Sequence, residues 1–190
     1  MTVTDVDSST FRNLPLRTLL IVDVENVAGR PTGPTGTDVR IIATALDRAF
    51  GHQQCHTVVA CAHRNASRVW FNWPTARKLV RSGPDGADRC LLEVLAGERV
   101  ENRFGTIVIA SGDGIFAREA ARLTAQGVKV VVALGRGKCA RRLRKAARHV
   151  VHLPLPQLNP PTQPVPIDEE EESACPNSTP PTTPSTWPSA

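Results

Sequence analysis

Four aliphatic runs set the limits on what this chain can fold into. They lie in "RTLLIVDV" (17–24), "HTVVACA" (56–62), "TIVIAS" (106–111) and "VKVVVAL" (128–134). Each is short, rich in β-branched residues and apolar at consecutive positions, so both faces of the strand need burial. Helix-period segments separate them. After the loop "GRPTGPTG", a helix beginning near Thr37 or Asp38 carries Val39, Ile41, Ile42, Ala45, Leu46 and Ala49. A second, over 85–102, puts Ala87, Cys90, Leu91, Val94 and Leu95 on one face, and a third runs from about Ile115 to Gln126, where Gly127 ends it. Shorter pieces fill the gaps: "RNASRVWFNW" is helical up to Pro74, and "ARKLVRS" (76–82) is a weaker strand. "KCARRLRKAARH" reads as a basic helix, and "VVHLP" closes the pattern. This alternation predicts an α/β fold with three layers, α/β/α, around a central, mainly parallel sheet.

The chain has 190 residues, enough for one domain with a full core. From Pro154 to Ala190 the text turns rich in Pro, Ser and Thr, with the acidic run Asp168–Glu172 and no Lys or Arg. Such a composition buries too little apolar surface to offset chain entropy, so 154–190 is expected to be a disordered tail. Residues 1–15 are expected to be flexible, leaving a domain over 16–153. Setting the five acids of the tail aside raises the formal charge from +5 to +10 over residues 1–153. A domain that basic suits a polyanion, nucleic acid first. Cysteines at 55, 61, 90, 139 and 175 form no CxxC pair, so neither a zinc site nor a disulfide framework is expected. No apolar stretch is long enough for a bilayer and no secretory leader is visible, which points to a cytoplasmic protein without membrane contact.

In an open parallel sheet, ligands bind beyond the carboxyl ends of the strands, where the strand order reverses. Asp23 ends the first strand and Asp113 follows "TIVIAS", between Gly112 and Gly114. If these strands are neighbours across the reversal, both carboxylates enter one crevice. Asp88, one turn into the helix after "GPDGADRC", supplies a third. Two carboxylates ~4 Å apart repel by roughly 4 kcal/mol at an effective dielectric of 20, so three together need a counter-charge. Oxygen-only donors suit Mg²⁺ or Mn²⁺, and such an ion in a basic domain points to phosphodiester hydrolysis. Each acid also has a plain reading: Asp113 as a helix N-cap, Asp88 as a partner of the helix dipole. Asp23 is the exception, because a charge inside "LLIVDVENV" needs a partner. Gly112 and Gly114 are expected to permit the tight strand-to-helix turn.

The blocks "LLIVDVENVAG", "GPDGADRCLLEVL" and "TIVIASGDGIFAREAARLTAQGVKVVVA" resemble, in that order over about residues 17–134, the signature blocks of NYN domains, a branch of the PIN-like nuclease superfamily. The resemblance implies a Rossmannoid domain that cuts RNA with Mg²⁺ or Mn²⁺ held by acidic residues. Matched by motif, these are Asp23, Asp88 and Asp113 as catalytic metal ligands, with Asn26 as the family's polar residue after the first acid. Ser111 and Asp85 are candidates for support. One departure stands out. Many relatives read "SGDxDF", whereas this chain has Ile115 in place of the second acid. That implies a weakened second metal site or a poor catalyst, with Asp85 and Glu25 as the nearest acids to compensate.

RNA contacts are expected from "GRGKCARRLRKAARH" (135–149), through Arg136, Lys138, Arg141, Arg142, Arg144 and Lys145, with Arg148 alongside. Read as a helix, Cys139, Leu143, Ala146 and Ala147 form its buried stripe. "GRGK" is not a P-loop, and no GxGxxG follows the first strand. Aromatics are scarce; Trp70, Phe71 and Trp73 are either a stacking cluster beside the crevice, core, or an oligomer contact. His63 and Arg64 are placed at the crevice. The reading is a metal-dependent ribonuclease; the alternatives are an RNA-binding or regulatory module with a degenerate site, and a protein scaffold using the Pro-rich tail. A homo-oligomer is compatible with each.

Overall fold

A computed structural model describes residues 17–51 and 55–157. The chain divides into two compact units, Met1–Gln157 and Leu158–Ala190, and every described residue belongs to the first. The expected flexible N-terminus (1–15) lies outside the described residues, as does the expected tail from Leu158 onward.

Six strands form one sheet: β1 (Thr18–Asp23), β2 (Cys55–Cys61), β3 (Arg77–Val80), β4 (Thr106–Ala110), β5 (Lys129–Leu134) and β6 (His149–His152). Their order is β3-β2-β1-β4-β5-β6, and every neighbouring pair is parallel. The aliphatic runs explain this, since a parallel strand is buried on both faces and its side chains alternate between two cores. Leu20, Val22, Val59, Cys61, Val108, Ala110, Val131 and Ala133 point into one core. It is covered by α1 (Val24–Ala28), α2 (Gly36–Phe50) and α3 (Ala66–Asn72). Leu19, Ile21, Val58, Ala60, Ile107, Ile109, Val130 and Val132 point into the other. That side is covered by α4 (Gly86–Gly97), α5 (Ala117–Ala125) and α6 (Arg141–Ala146). The three-layer expectation holds.

Several boundaries differ from the sequence reading. The stretch 24–28, in which the sequence reading gave Val24 to the strand and assigned 25–28 to no element, is a short helix: the Asp23 side chain caps its start, and Gly29 at φ 59° ends it in the left-handed region. The helix expected over 85–102 stops at Gly97, and Arg99 turns the chain at φ 46° before a 3₁₀ turn at Val100–Asn102. The basic helix spans only Arg141–Ala146, so Arg136 and Lys138 sit in the preceding loop. Helix α2 starts one residue before the earlier of its two expected starts, under a capping box of Thr35 and Asp38. No helix among the described residues is long and apolar enough to cross a membrane.

Candidate active site

The site is built on the β1–β4 seam, where the strand order reverses. Asp23 shares the parity of Leu19 and Ile21, so its side chain faces the α4 layer, where it is buried. Its Oδ1 accepts a hydrogen bond from the Asn26 backbone N–H at 3.1 Å, and its Oδ2 accepts one from Ser111 Oγ at 3.3 Å. The Asn26 side chain reaches across the seam: its Oδ1 accepts from Gly112 N at 2.9 Å. Ser111 Oγ in turn accepts from Asp113 N at 3.1 Å. Asn26 and Ser111 thus lace the ends of β1 and β4 together.

Asp113 has two tasks. Its Oδ1 accepts from Ile115 N at 2.9 Å, capping the 3₁₀ turn Gly114–Phe116, while the residue also lines the cleft shared with Asp23 and Asp88. Neither flanking glycine has a positive φ, which corrects the turn reading; space requires glycine at 112, whereas at 114 only the flexible end of Arg142 is in the way. A Cβ on Gly112 would lie 2.2 Å from the Lys138 carbonyl oxygen, and one on Gly114 would lie 2.1 Å from Arg142 Nε.

Asp88 arrives from the opposite wall, in the first turn of α4. The loop before it is tight: Asp85 is left-handed at φ 53°, and a Cβ on Gly86 would meet the Arg81 carbonyl oxygen at 2.5 Å. Burial, the charge of Asp23 and a carboxyl–carboxyl hydrogen bond to it push Asp88 up to about 8, with Asp113 and Asp85 adding to the rise. Burial also raises Asp23, against the hydrogen bonds from Asn26 and Ser111 that favour its charged form. Of the two, Asp23 has the donors that favour a charged carboxylate, while Asp88 faces mainly other acids. Its Oδ1 is buried and has no hydrogen-bond partner.

Asp23, Asp85, Asp88 and Asp113 line one cleft of about 330 Å³, together with Glu25, Asn26, Arg64 and Arg81. Of the two candidates for the acid missing at 115, Asp85 is exposed at the rim. Glu25 is half-buried and held in place, its Oε1 accepting from Ala62 N at 3.2 Å and from the Asn65 side chain. Ile115 itself packs against the α4-side core. An all-oxygen donor set, an orphaned buried carboxylate oxygen and an uncompensated acid pair fit a hard divalent cation. Among the described residues, however, no group of three His, Cys, Asp or Glu side chains is set to hold a metal as it stands, consistent with Asp113 spending one oxygen on its cap.

Beyond Asp113 the wall turns basic. Arg141, Arg142 and Lys145 border a groove of about 650 Å³ with Asp113, Gly114 and Ala140. Leu143 is buried, Cys139, Ala146 and Ala147 pack partly beneath, and Arg144 and Lys138 are exposed. Arg136 departs from its expected role. Its guanidinium donates to Asp38 Oδ1 at 3.1 Å and to the carbonyls of Ala28 and Pro156, each at 2.9 Å, so it locks loops together instead of facing solvent. Arg148 lies past the helix, its N–H bonded to the Val130 carbonyl. Arg64 lines the cleft as expected; His63 does not, and its ring bonds Ser82 Oγ at 2.9 Å. Trp73 belongs to the core. Sequence reasoning missed Arg81, whose exposed guanidinium pairs with Glu93 at the cleft edge, and no local pattern marks it.

No curated protein matches the chain. Among solved structures, a protein of unknown function from Vibrio parahaemolyticus is similar at 15% identity and a TM-score of 0.53, covering 72% of this chain and 92% of that one. That likeness shows a shared fold and no more. The family model for the NYN domain matches residues 92–154, a span running from α4 through the Asp113 turn and the basic helix. That matched segment, a third of the chain, is similar to NYN domains, which belong to the PIN-like nuclease superfamily.

Proposed function

We propose that this domain is a metal-dependent ribonuclease that hydrolyses RNA phosphodiester bonds in the cleft between β1, β4 and α4. One observation carries the reading: Asp23, Asp88 and Asp113 line one cleft at the strand-order reversal, with no Lys or Arg ion-paired to any of the three among the described residues. A bound Mg²⁺ or Mn²⁺ supplies Lewis acidity and a water of lowered pKa. Asp23, oriented by Asn26 and Ser111, presents a fixed carboxylate to that ion. Asp88, whose buried Oδ1 has no partner, would hold the ion from the opposite wall. Asp113 contributes the oxygen not used by its cap. Arg141, Arg142 and Lys145 hold the RNA backbone beside Asp113, and the +10 formal charge of residues 1–153 draws it there.

The test is incubation of the full chain with labelled RNA, with and without Mn²⁺, comparing the parent with Asp113→Asn. Cleavage is expected only with Mn²⁺, and the substitution is expected to remove more than the roughly 10–100-fold that a merely orienting neighbour costs. Undiminished cutting by Asp113→Asn would sink the assignment.

A second reading is favoured by Ile115 and by the partly committed Asp113: an RNA-binding or regulatory module with a degenerate site. It predicts salt-sensitive RNA affinity, weakened when Arg141 and Arg142 become alanine, with no cleavage under any metal.

A further inference from the structure

Trp70 and Phe71 are the large hydrophobic side chains left exposed among the described residues, at 44% and 85%. They are consecutive in the last turn of α3, their side chains about 100° apart around its axis. Two rings are too little for a stable protein interface, which takes about 800 Å² from each partner around an apolar centre. Two rings are, however, what successive unpaired bases need, because every base has a face to stack.

Charge selects the same occupant. From Arg48 to Pro84 the chain contains no Asp or Glu and six Lys or Arg. Within this stretch Arg77 and Arg81 are ion-paired with Glu98 and Glu93 from α4. Arg64, Arg68 and Lys78 have no acidic partner among the described residues. Lys78 Nζ stands 5.8 Å from the Trp70 ring centroid, which leaves a cation beside the aromatic surface. Arg64 links this surface to the cleft: it lines the cleft and lies in the 3₁₀ turn that leads into α3. Phe71 is seven residues farther on, about 10 Å along the helix.

We propose that the Trp70–Phe71 face of α3 is a stacking platform for unpaired bases of single-stranded RNA, whose backbone passes Arg64 into the acidic cleft. This rests on the RNA reading given above and adds to it where the strand lies outside the cleft and why it must be unpaired.

The experiment uses the full chain in EDTA, so that nothing is cut, and titrates it with a fluorescein-labelled twelve-residue oligouridine. Phe71→Ala, a change on an exposed side chain, is expected to weaken binding roughly 5–100-fold. Tryptophan emission is expected to fall on binding, and to lose most of that fall in Trp70→Phe. A duplex of the same length is expected to bind equally well to parent and variant. Equal oligouridine affinity of parent and Phe71→Ala overturns the proposal, as does a parent that binds no single strand. A parent dimer that Phe71→Ala converts to monomer at unchanged RNA affinity assigns the face to a second copy of the chain, and overturns it too. Should Mn²⁺ yield no Asp113-dependent cleavage while the Phe71 effect persists, the hydrolase reading fails and the platform stands.

Discussion

Asp38 and Asp88 are both acids taken out of bulk water near helix starts, and the chain treats them in opposite ways. Asp38, the N3 residue of α2, is nearly inaccessible. Burial alone would raise it, but hydrogen bonds from Thr35 and Arg30 outweigh that and hold it at about 2. Arg30 Nε lies 2.6 Å from its Oδ2, and Arg136 Nη1, from a residue 98 positions on in the sequence, lies 3.1 Å from its Oδ1. Asp88 receives no such cation. Its neighbours are Asp23, Asp113 and Asp85, and it is pushed up to about 8. A carboxylate that serves the fold is given its counter-charge by the fold. One left with only other carboxylates is costly to the fold, and a cation from outside would relieve that cost.

The strongest way to break this contrast is to remove the paired acid. Asp38→Ala strands Arg136 and Arg30 and is expected to lose about 3–5 kcal/mol in urea unfolding, the usual consequence of leaving a buried charge alone. Asp88→Asn should do the reverse. In metal-free buffer at pH 8–9 it removes a repelled charge, and each kcal/mol regained raises the melting temperature by about 2–4 °C. The same variant should gain less than the parent when Mn²⁺ is added, since a stabilising ligand acts only through the site it binds. A parent protein no less stable than Asp88→Asn without metal would erase the distinction.

The two acids also sharpen each other in a pH series. Asp38 is depressed below the ordinary aspartate value of 3.8, so its stabilisation is full above that pH and is lost as pH falls through about 2. Asp88 is raised, so the folded form binds the extra proton; its unfavourable contribution grows as pH climbs from 3.8 through about 8. The metal-free protein is therefore expected to be most stable in the mildly acidic range, and Asp88→Asn should flatten the alkaline limb alone. The smallest effect belongs to the cap: Thr35→Ala removes the hydroxyl that binds Asp38 N and Asp38 Oδ2, and should cost about 1 kcal/mol by thermal unfolding.

The strands were legible because a buried parallel strand has to be apolar at every position, and "LLIV", "IVIA" and "VVVA" are. Their order followed less directly: that β1 and β4 are neighbours was a condition of the sequence reading, and the structure meets it. The short helix at 24–28 was missed because its signal is a capping pair, Asp23 with Asn26, where an apolar period cannot show in five residues. Arg136 was misplaced for another reason. In the text it belongs to a basic cluster, and its partner Asp38 lies 98 residues away, a contact no local pattern encodes. Asp23 and Asp113 could be assigned to the crevice from strand ends alone. The raised Asp88, its orphaned oxygen and the double use of Asp113 are properties of packing and had to be seen.

Asn26 joins the end of a strand bonded on both sides to the first turn after its neighbour, Gly112. Amides in such a central ladder are the last in a domain to exchange hydrogen with solvent, because only complete opening frees them. The acid that closes β1 inherits that persistence. On warming, its alignment should endure until the domain melts as a unit, so the decline of the site and the collapse of the sheet would trace a single curve.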